Sequence, residues 1–522
     1  MKIVKSLILG SAAGLIAMNG AQAADLPVKA KPVEYVRICS LYGPGFFYIP
    51  GTDTCVKLGG YLRVDVAFNA SGVYTGGTIA GNYGQENRLR NYFLTRARED
   101  LTIDTRTATE YGVVRTYWDA TFSWTSGAYT GNGTGGTVYS AAAQAGGFGG
   151  VGNPSDGGTS GGSLGVYHAF IQFAGFTMGK TVSAFDAPWN NYPGNNFDGL
   201  VGGSGVVTGI NQLTYTAQFG NGVSASIGVE DQTTYLQSNL FNVNATSLTA
   251  GALTGGSFGA NDRGGSRAPD IVGVLKVDQA WGLAQLSAAA HDNHAAFYSG
   301  GPFSATELAG HPEDKWGWAV QGSLSIKNIP TGPGDVINVQ AVYTDGASRY
   351  NFQNLAPQNF AMYGGSGLPG VYQSIGLAAI ADGVFSTGTS IRTVQTWGMR
   401  GAYTHNWDAY WNTAIYGAYA QAKFGNGGAA IICGFIAGIG AATAGITNCD
   451  PNFNVAQLGL ITRWTPVKNL TFSGEVTWTN LDQKFSGTIV APVAAGVAKP
   501  AATYELKDQN TVSVLVRAQR NW

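Results

Sequence analysis

The sequence predicts an all-β protein, a transmembrane antiparallel β-barrel of about sixteen strands. Three observations carry that prediction. Only 12% of the 522 residues are charged and mean hydropathy is zero, whereas a soluble globular chain carries roughly twice that charged fraction. Gly 77, Tyr 25, Phe 24 and Trp 12 accompany the low charge, with no apolar run long enough for a spanning helix. From Cys55 onward, short stretches alternate apolar and polar residues with the two-residue period of strands.

The chain opens on "MKIVKSLILGSAAGLIAMNGAQAAD". Lys2 and Lys5 precede an apolar stretch from Leu7 to Met18, and Ala21 and Ala23 flank Gln22, so residues 1–23 read as a cleaved signal peptide. Residues 24–55 then form an N-terminal periplasmic segment leading into a barrel over 56–522. The 30 basic residues less the two leader lysines face 31 acidic ones, a net charge of about −3. That balance excludes a nucleic-acid partner, which requires a dominant basic excess. Four cysteines in an exported chain predict two disulfides. Local pairs, Cys39 with Cys55 and Cys433 with Cys449, are the simplest arrangement, although sequence leaves two other connectivities open. Neither pair has the spacing of a redox or zinc site.

Sixteen alternating stretches can be marked. They are Lys57–Phe68, Arg88–Asp104, Tyr111–Trp124, Leu164–Ala174, Phe176–Val182, Asn211–Phe219, Gly222–Glu230 and Pro269–Asp278, then Trp281–Asp292, Lys315–Lys327, Asp335–Asp345, Ile391–His405, Asp408–Phe424, Val455–Val467, Asn469–Leu481 and Gln509–Trp522. Tight connections such as "AGF" (174–176), "FGNGV" (219–223) and "NWD" (406–408) alternate with long Gly-, Ser- and Thr-rich ones at 125–163, 183–210, 231–268, 346–390 and 425–454. A hairpin-built barrel segregates short turns and long loops to opposite rims in this way.

Faces follow from parity. Leu58, Leu62, Val64 and Phe68 should meet lipid, with Lys57, Arg63 and Asp65 facing a wet interior. Arg88, Arg90, Arg96 and Arg98 share one parity on the next strand, and Arg115 and Asp119 follow on the third. An arginine on the lipid side near the midplane costs about 2–4 kcal/mol, which fixes these faces. Like charges along one face repel unless water and facing acids compensate them, so the set reads as the basic wall of an aqueous lumen. The last strand alternates back from Trp522 through Ala518, Val516, Val514 and Val512, and pairing it with Lys57–Phe68 would close the barrel.

Two regions carry a likeness. "AADLPVKAKPVEYVRICSLYGPGFFYIPGTDTCVKLGGYLRVD" (23–65) resembles the mature N-terminus of the alphaproteobacterial, rhizobial-type general-diffusion porins, and "VLVRAQRNW" resembles their terminal strand, although Trp522 stands where Phe is usual. The resemblance implies a homotrimeric barrel of the Gram-negative outer membrane. It implies a third external loop, about Ser183 to Gly209, folded inward as a constriction. "AFIQFAGFTMGKTVSAFD" (169–186) looks like the hairpin before it. The loop would set Asp186 and Asp198 against the basic wall, with Lys180 beside it. Trp522 would be the signal read by the barrel assembly machinery. Small hydrophilic solutes and ions would pass by diffusion, without cofactor, metal or turnover. A solute-specific channel and a non-conducting surface barrel or adhesin are the alternatives.

Other motifs are weaker. Ser163 in "GGSLG" and Ser257 in "GGSFG" fit G-x-S-x-G but lack its strand–turn–helix setting. "GFGGVG" (147–152) sits in a low-complexity stretch without a βαβ frame, and "AGFTMGKT" has Ala174 where a phosphate loop needs glycine. His291, His294 and His311 decorate one external region without clear ligand geometry. The apolar stretch 429–445 is too short and Gly-interrupted to span a membrane.

Overall fold

The computed structural model describes residues 37–70, 86–88, 92–125, 157–159, 162–233, 235–244, 249–298, 306–353, 359–493 and 498–522. The expected signal peptide, residues 24–36, Arg90 and the stretch 147–152 lie outside them. Sixteen strands form the wall: β1 Cys55–Phe68, β2 Phe93–Thr109, β3 Gly112–Thr125, β4 Gly162–Phe173, β5 Phe176–Thr181, β6 Ile210–Gly220, β7 Val223–Glu230, β8 Asp270–Gln279, β9 Gly282–Asn293, β10 Lys315–Lys327, β11 Val336–Asp345, β12 Gln395–Asn406, β13 Trp411–Lys423, β14 Phe453–Val467, β15 Leu470–Gln483 and β16 Gln509–Asn521. Each pairs antiparallel with the next. β16 returns to β1, with Tyr61 opposite Asn521 and Phe68 opposite Val514. Closure leaves neither terminal strand with an unpaired edge across this register.

The closing seam explains Gly60. Trp522 donates its backbone N–H to Gly60 O at 3.2 Å. A Cβ at Gly60 would stand 1.9 Å from Asp100 O and 3.1 Å from the Trp522 ring, so only glycine fits between the β2 backbone and the terminal indole. Asn221 and Gly222, at φ 49° and 72°, form a tight hairpin whose twist suits antiparallel strands. Such short turns gather on one rim, the periplasmic one by barrel convention. On that rim Phe47–Tyr48 pairs with the first residues of β1, and Cys39, Phe46 and Cys55 pack together. Both disulfides are local, Cys39–Cys55 and Cys433–Cys449.

One predicted strand shifts. The second runs Phe93–Thr109 rather than Arg88–Asp104, and Arg88 is exposed in a turn before it. Parity had grouped Arg88 with Arg96 and Arg98, but alternation does not mark where ladder pairing stops. At the other end the strand continues past the lipid band, where Thr105 and Thr107 replace apolar residues on the outer side and the sequence signal fades.

The long loops are not irregular. Asn239–Asn242, Ala260–Asn261, Ala381–Phe385 and Arg392–Thr393 form a four-stranded sheet over the opposite rim, and Asn359–Gly364, Gln373–Ala379, Ile446–Asn448, Ser486–Ala491 and Ala502–Leu506 form a five-stranded one. Two helices, α1 Ala250–Thr254 and α2 Gly428–Gly438, pack with them. α2 accounts for much of the apolar stretch 429–445: Ile432 and Ile436 enter a core with Phe258, Phe360, Ile375 and Phe453. These loops make a lid whose hydrophobic core is continuous with inward wall residues such as Ala418, Tyr416 and Val455. Leu200 and Val201, from the connection between β5 and β6, belong to the same core.

Candidate functional site

That β5–β6 connection lies inside the barrel. Its residues bond to inward-facing side chains in sequence around the wall. Gln285 of β9 donates to Asp186 O at 2.9 Å and Gln321 of β10 to Phe185 O at 3.1 Å. Trp189 donates its indole N–H to Gln340 of β11 at 2.8 Å, and Arg463 of β14 donates to Gly194 O at 2.7 Å. Two side chains do most of the holding. Arg400 of β12 donates to Asn191 Oδ1, Leu200 O, Asn190 O and Ser204 O. Glu475 of β15 accepts the backbone N–H of Asn196 at 2.8 Å and of Phe197 at 3.1 Å, and the Tyr416 hydroxyl at 2.6 Å. Glu230 of β7 clamps the loop's start through Ser183 Oγ and Ala184 N. The guanidinium bonds of Arg400 and Arg463 are charge-assisted, the stronger sort, and the loop is fixed rather than draped.

Phe197 then packs with Ala67, Leu94 and Leu515 on β1, β2 and β16. The loop therefore follows the inner wall from β7 and β9 through β15 to the strands that carry the arginines.

On that wall, cross-strand register stacks the charges. Asp65 is fully buried between two guanidiniums: Arg96 Nη2 lies 2.6 Å from Oδ2 and Arg517 Nε 2.6 Å from Oδ1. Arg63 stands directly opposite Arg98. Arg63 donates to Gln519 Oε1 at 2.8 Å and lies over the Tyr61 ring; Arg98 donates to Ser123 Oγ at 2.8 Å and lies over Tyr167. Asp198, on the loop, accepts from the Tyr192 hydroxyl and is near enough for its charge to act on Arg98 and Arg517. Loop carboxylate and arginine wall thus face each other.

Other predicted residues sit elsewhere. Arg115 bonds Asp104 at 3.0 Å and pairs in register with Arg106, close to the periplasmic turn. Asp119 is 3.9 Å from His168. Asp186 does not face the wall: it is buried and accepts the N–H of Val206 at 2.7 Å, tying the loop's two ends together. Lys180 needs the clearest correction. It shares the parity of Phe176 and Met178, exposed on the outer wall, pairs across to exposed Ala169 and Asn211, and donates to Val166 O at 2.6 Å. The outward parity of β5, whose six residues are too few to display alternation, removes it from the lumen face.

The site also uses residues that parity reasoning passed over. Arg517, Arg400, Arg463, Glu475 and Glu230 were each a lone charge on the polar side of a strand otherwise neutral there, and that isolation was the available signal. His291, His294 and His311 do not converge: they bond Asp270, Asp314 and Pro312 O respectively. Ser257 donates to Gly259 O.

A closed sixteen-stranded antiparallel barrel, apolar outside and narrowed inside by its own loop, defines a channel-type outer-membrane protein. The porin subfamily model matches residues 25–515. Porin Omp2b of Brucella suis biovar 1 is 32% identical over 365 residues, 66% of this chain and 85% of that one. Porin Omp2a of Brucella canis is 38% identical over 230 residues, 44% of this chain and 56% of that one. Among solved structures, the outer membrane channel DcaP of Acinetobacter baumannii shares the fold at TM-score 0.55 and 14% identity, with 91% of this chain and 99% of that chain covered. The chain belongs to the porin subfamily.

Proposed function

We propose that this porin forms a water-filled channel through which small hydrophilic solutes and ions diffuse passively across the outer membrane, with no turnover and no cofactor. The observation that carries this reading is the loop held inside the barrel by Arg400 and Glu475, with Asp198 close enough for its charge to act on Arg98 and Arg517 of the wall. A transverse field between loop and wall orients dipolar solutes and biases ions, as charged linings do in other pores. Asp65 sets the wall's charge by neutralising part of it. Residues 1–23 would be removed on export, and the barrel would assemble as a homotrimer, with the β16 strand and Trp522 as the segment met by the assembly machinery. Single-channel conductance of the refolded protein in a planar bilayer tests the reading. Steps that scale with salt support it, and a correctly folded but silent barrel defeats it. The lid core joined to Leu200 and Val201 favours one alternative, a more selective channel, whose flux would saturate with solute concentration.

A further inference from the structure

A second group of cations lines the lumen at the periplasmic rim, apart from the constriction. Arg106 of β2 lies opposite Arg115 of β3 on one side and Cys55 of β1 on the other, and it shares the lumen parity of Arg96 and Arg98. Arg98 and Arg106 are eight residues apart on β2, about 26 Å along a strand, and Asp100 has the same parity between them. Cys55, opposite Arg106, also faces inward. Its disulfide to Cys39 therefore draws the segment before β1 to the inner side of the rim, where Tyr42 and Phe46 meet Arg106.

The way these cations are held leaves their charge available. Arg106 and Arg115 share one carboxylate, Asp104, each at 3.0 Å, and Arg115 also donates to Gln172 Oε1 at 3.0 Å. Their remaining supports carry no charge. The Arg106 guanidinium lies 4.9 Å from the centre of the Phe46 ring and 5.7 Å from that of Tyr42. That of Arg115 lies 5.0 Å from Tyr117 and 5.5 Å from Phe170. Lys57, exposed and opposite Asp104 in the register, places its ammonium 5.9 Å from Phe46, and no carboxylate of the described residues lies within ion-pair distance of it. A ring face attracts a cation through its quadrupole but cannot neutralise it. Three cations thus surround one carboxylate, an excess of two charges. The guanidiniums are 30% and 28% exposed, and Arg106 Nη1 has no acceptor among the described residues. Guanidinium forks match the oxygens of phosphate and carboxylate groups, and a divalent anion balances the excess in a single ligand.

We propose that Lys57, Arg106 and Arg115, walled by Tyr42 and Phe46 of the disulfide-closed segment, form a periplasmic binding site for small polyvalent oxyanions bearing phosphate or carboxylate groups. The site rests on the channel reading above for its place on the solute path. An anion drawn in at Arg63 and Arg98 meets a second station before it leaves, and several weak sites in series let a pore attract ions without trapping them. The test is equilibrium dialysis of the refolded chain in detergent, at neutral pH and low salt, against labelled inorganic phosphate and separately against labelled citrate, with single-channel recording on the same preparations. Heat-dependent gel mobility identifies the variants that fold. Saturable binding is expected: phosphate alone assigns the phosphoryl class, citrate alone the carboxylate class, and both the shared oxyanion chemistry. Arg106→Gln with Arg115→Gln should weaken it about tenfold. Lys57→Gln, at an exposed position where folding is not at stake, should weaken it about threefold. Binding of neither probe, or binding that Lys57→Gln and the folded double variant leave unchanged, would overturn the site, and conductance steps in the same preparation would keep the channel reading standing. Binding abolished by Arg63→Ala with Arg98→Ala would overturn it too, placing the anion at the constriction. A silent barrel that still binds the probe would defeat the channel reading and leave the site in place.

Discussion

Arg63 and Arg98 stand directly opposite each other across β1 and β2, and no carboxylate of the described residues lies within ion-pair distance of either. Asp65, the nearest acid in the register, is engaged by Arg96 and Arg517. Two half-buried guanidiniums held side by side attract anions to the narrow part of the lumen. Arg63→Ala with Arg98→Ala should therefore lower the anion-to-cation permeability ratio several-fold at low salt. The difference should shrink at 1 M salt, where screening acts over about 3 Å. Reversal potentials in a salt gradient read this directly, and an unchanged potential at low salt would remove both residues from the selectivity wall.

Glu475 concentrates the loop's attachment in one side chain. Glu475→Ala would strand the N–H groups of Asn196 and Phe197, each bond being worth about 0.5–1.5 kcal/mol. The sixteen-strand ladder does not depend on it. Open-channel noise should rise and mean conductance should change, while the temperature at which the folded gel band disappears falls by only a few degrees. A quiet channel of wild-type conductance would show that Arg400 and Gln340 hold the loop unaided.

The barrel was legible because its wall is written in a period of two: every one of the sixteen alternating stretches overlaps a strand. What parity could not supply was position along the strand, which is why Arg88 fell outside β2, or face on a strand as short as β5, which is why Lys180 turned outward. The lid was illegible for a different reason. Its strands, such as Ala381–Phe385 and Gln373–Ala379, are buried on both sides, so they show no alternation, and one partner of each, Asn239–Asn242 and Ala502–Leu506, lies in a distant loop. Loop anchors such as Arg400 depend on those same distant contacts.

Acid should loosen one periplasmic turn. Asp335 accepts from Thr331 Oγ1, His405 Nδ1, Tyr403 and the Asn406 N–H. Burial alone would raise its pKa, but these hydrogen bonds outweigh it and hold the carboxyl well below the ordinary range. A depressed folded value means stability that is present above the unfolded pKa of about 4 and lost as pH falls through the folded one. Asp335→Asn should thus weaken amide protection in the turn 328–334 at pH 7, and its difference from wild type should narrow steadily below about pH 4. Hydrogen exchange at both pH values measures this; an equal difference at pH 7 and pH 2.5 would place the stabilisation elsewhere.

The lid should melt separately from the wall. Cys433 and Cys449 close a 16-residue separation, worth about 3 kcal/mol on the chain-entropy model, and they hold α2 so that Ile432 and Ile436 stay in the core. Truncating a buried isoleucine costs about 2–5 kcal/mol. Cys433→Ala with Cys449→Ala, and independently Ile432→Ala, should each expose the lid to brief proteolysis while leaving the barrel band intact on a gel. Because Leu200 and Val201 share that core, the same variants should also alter open-channel noise. Cleavage without any change in noise would separate the lid from the constriction, and resistance to cleavage in both variants would show that the two external sheets stand without α2.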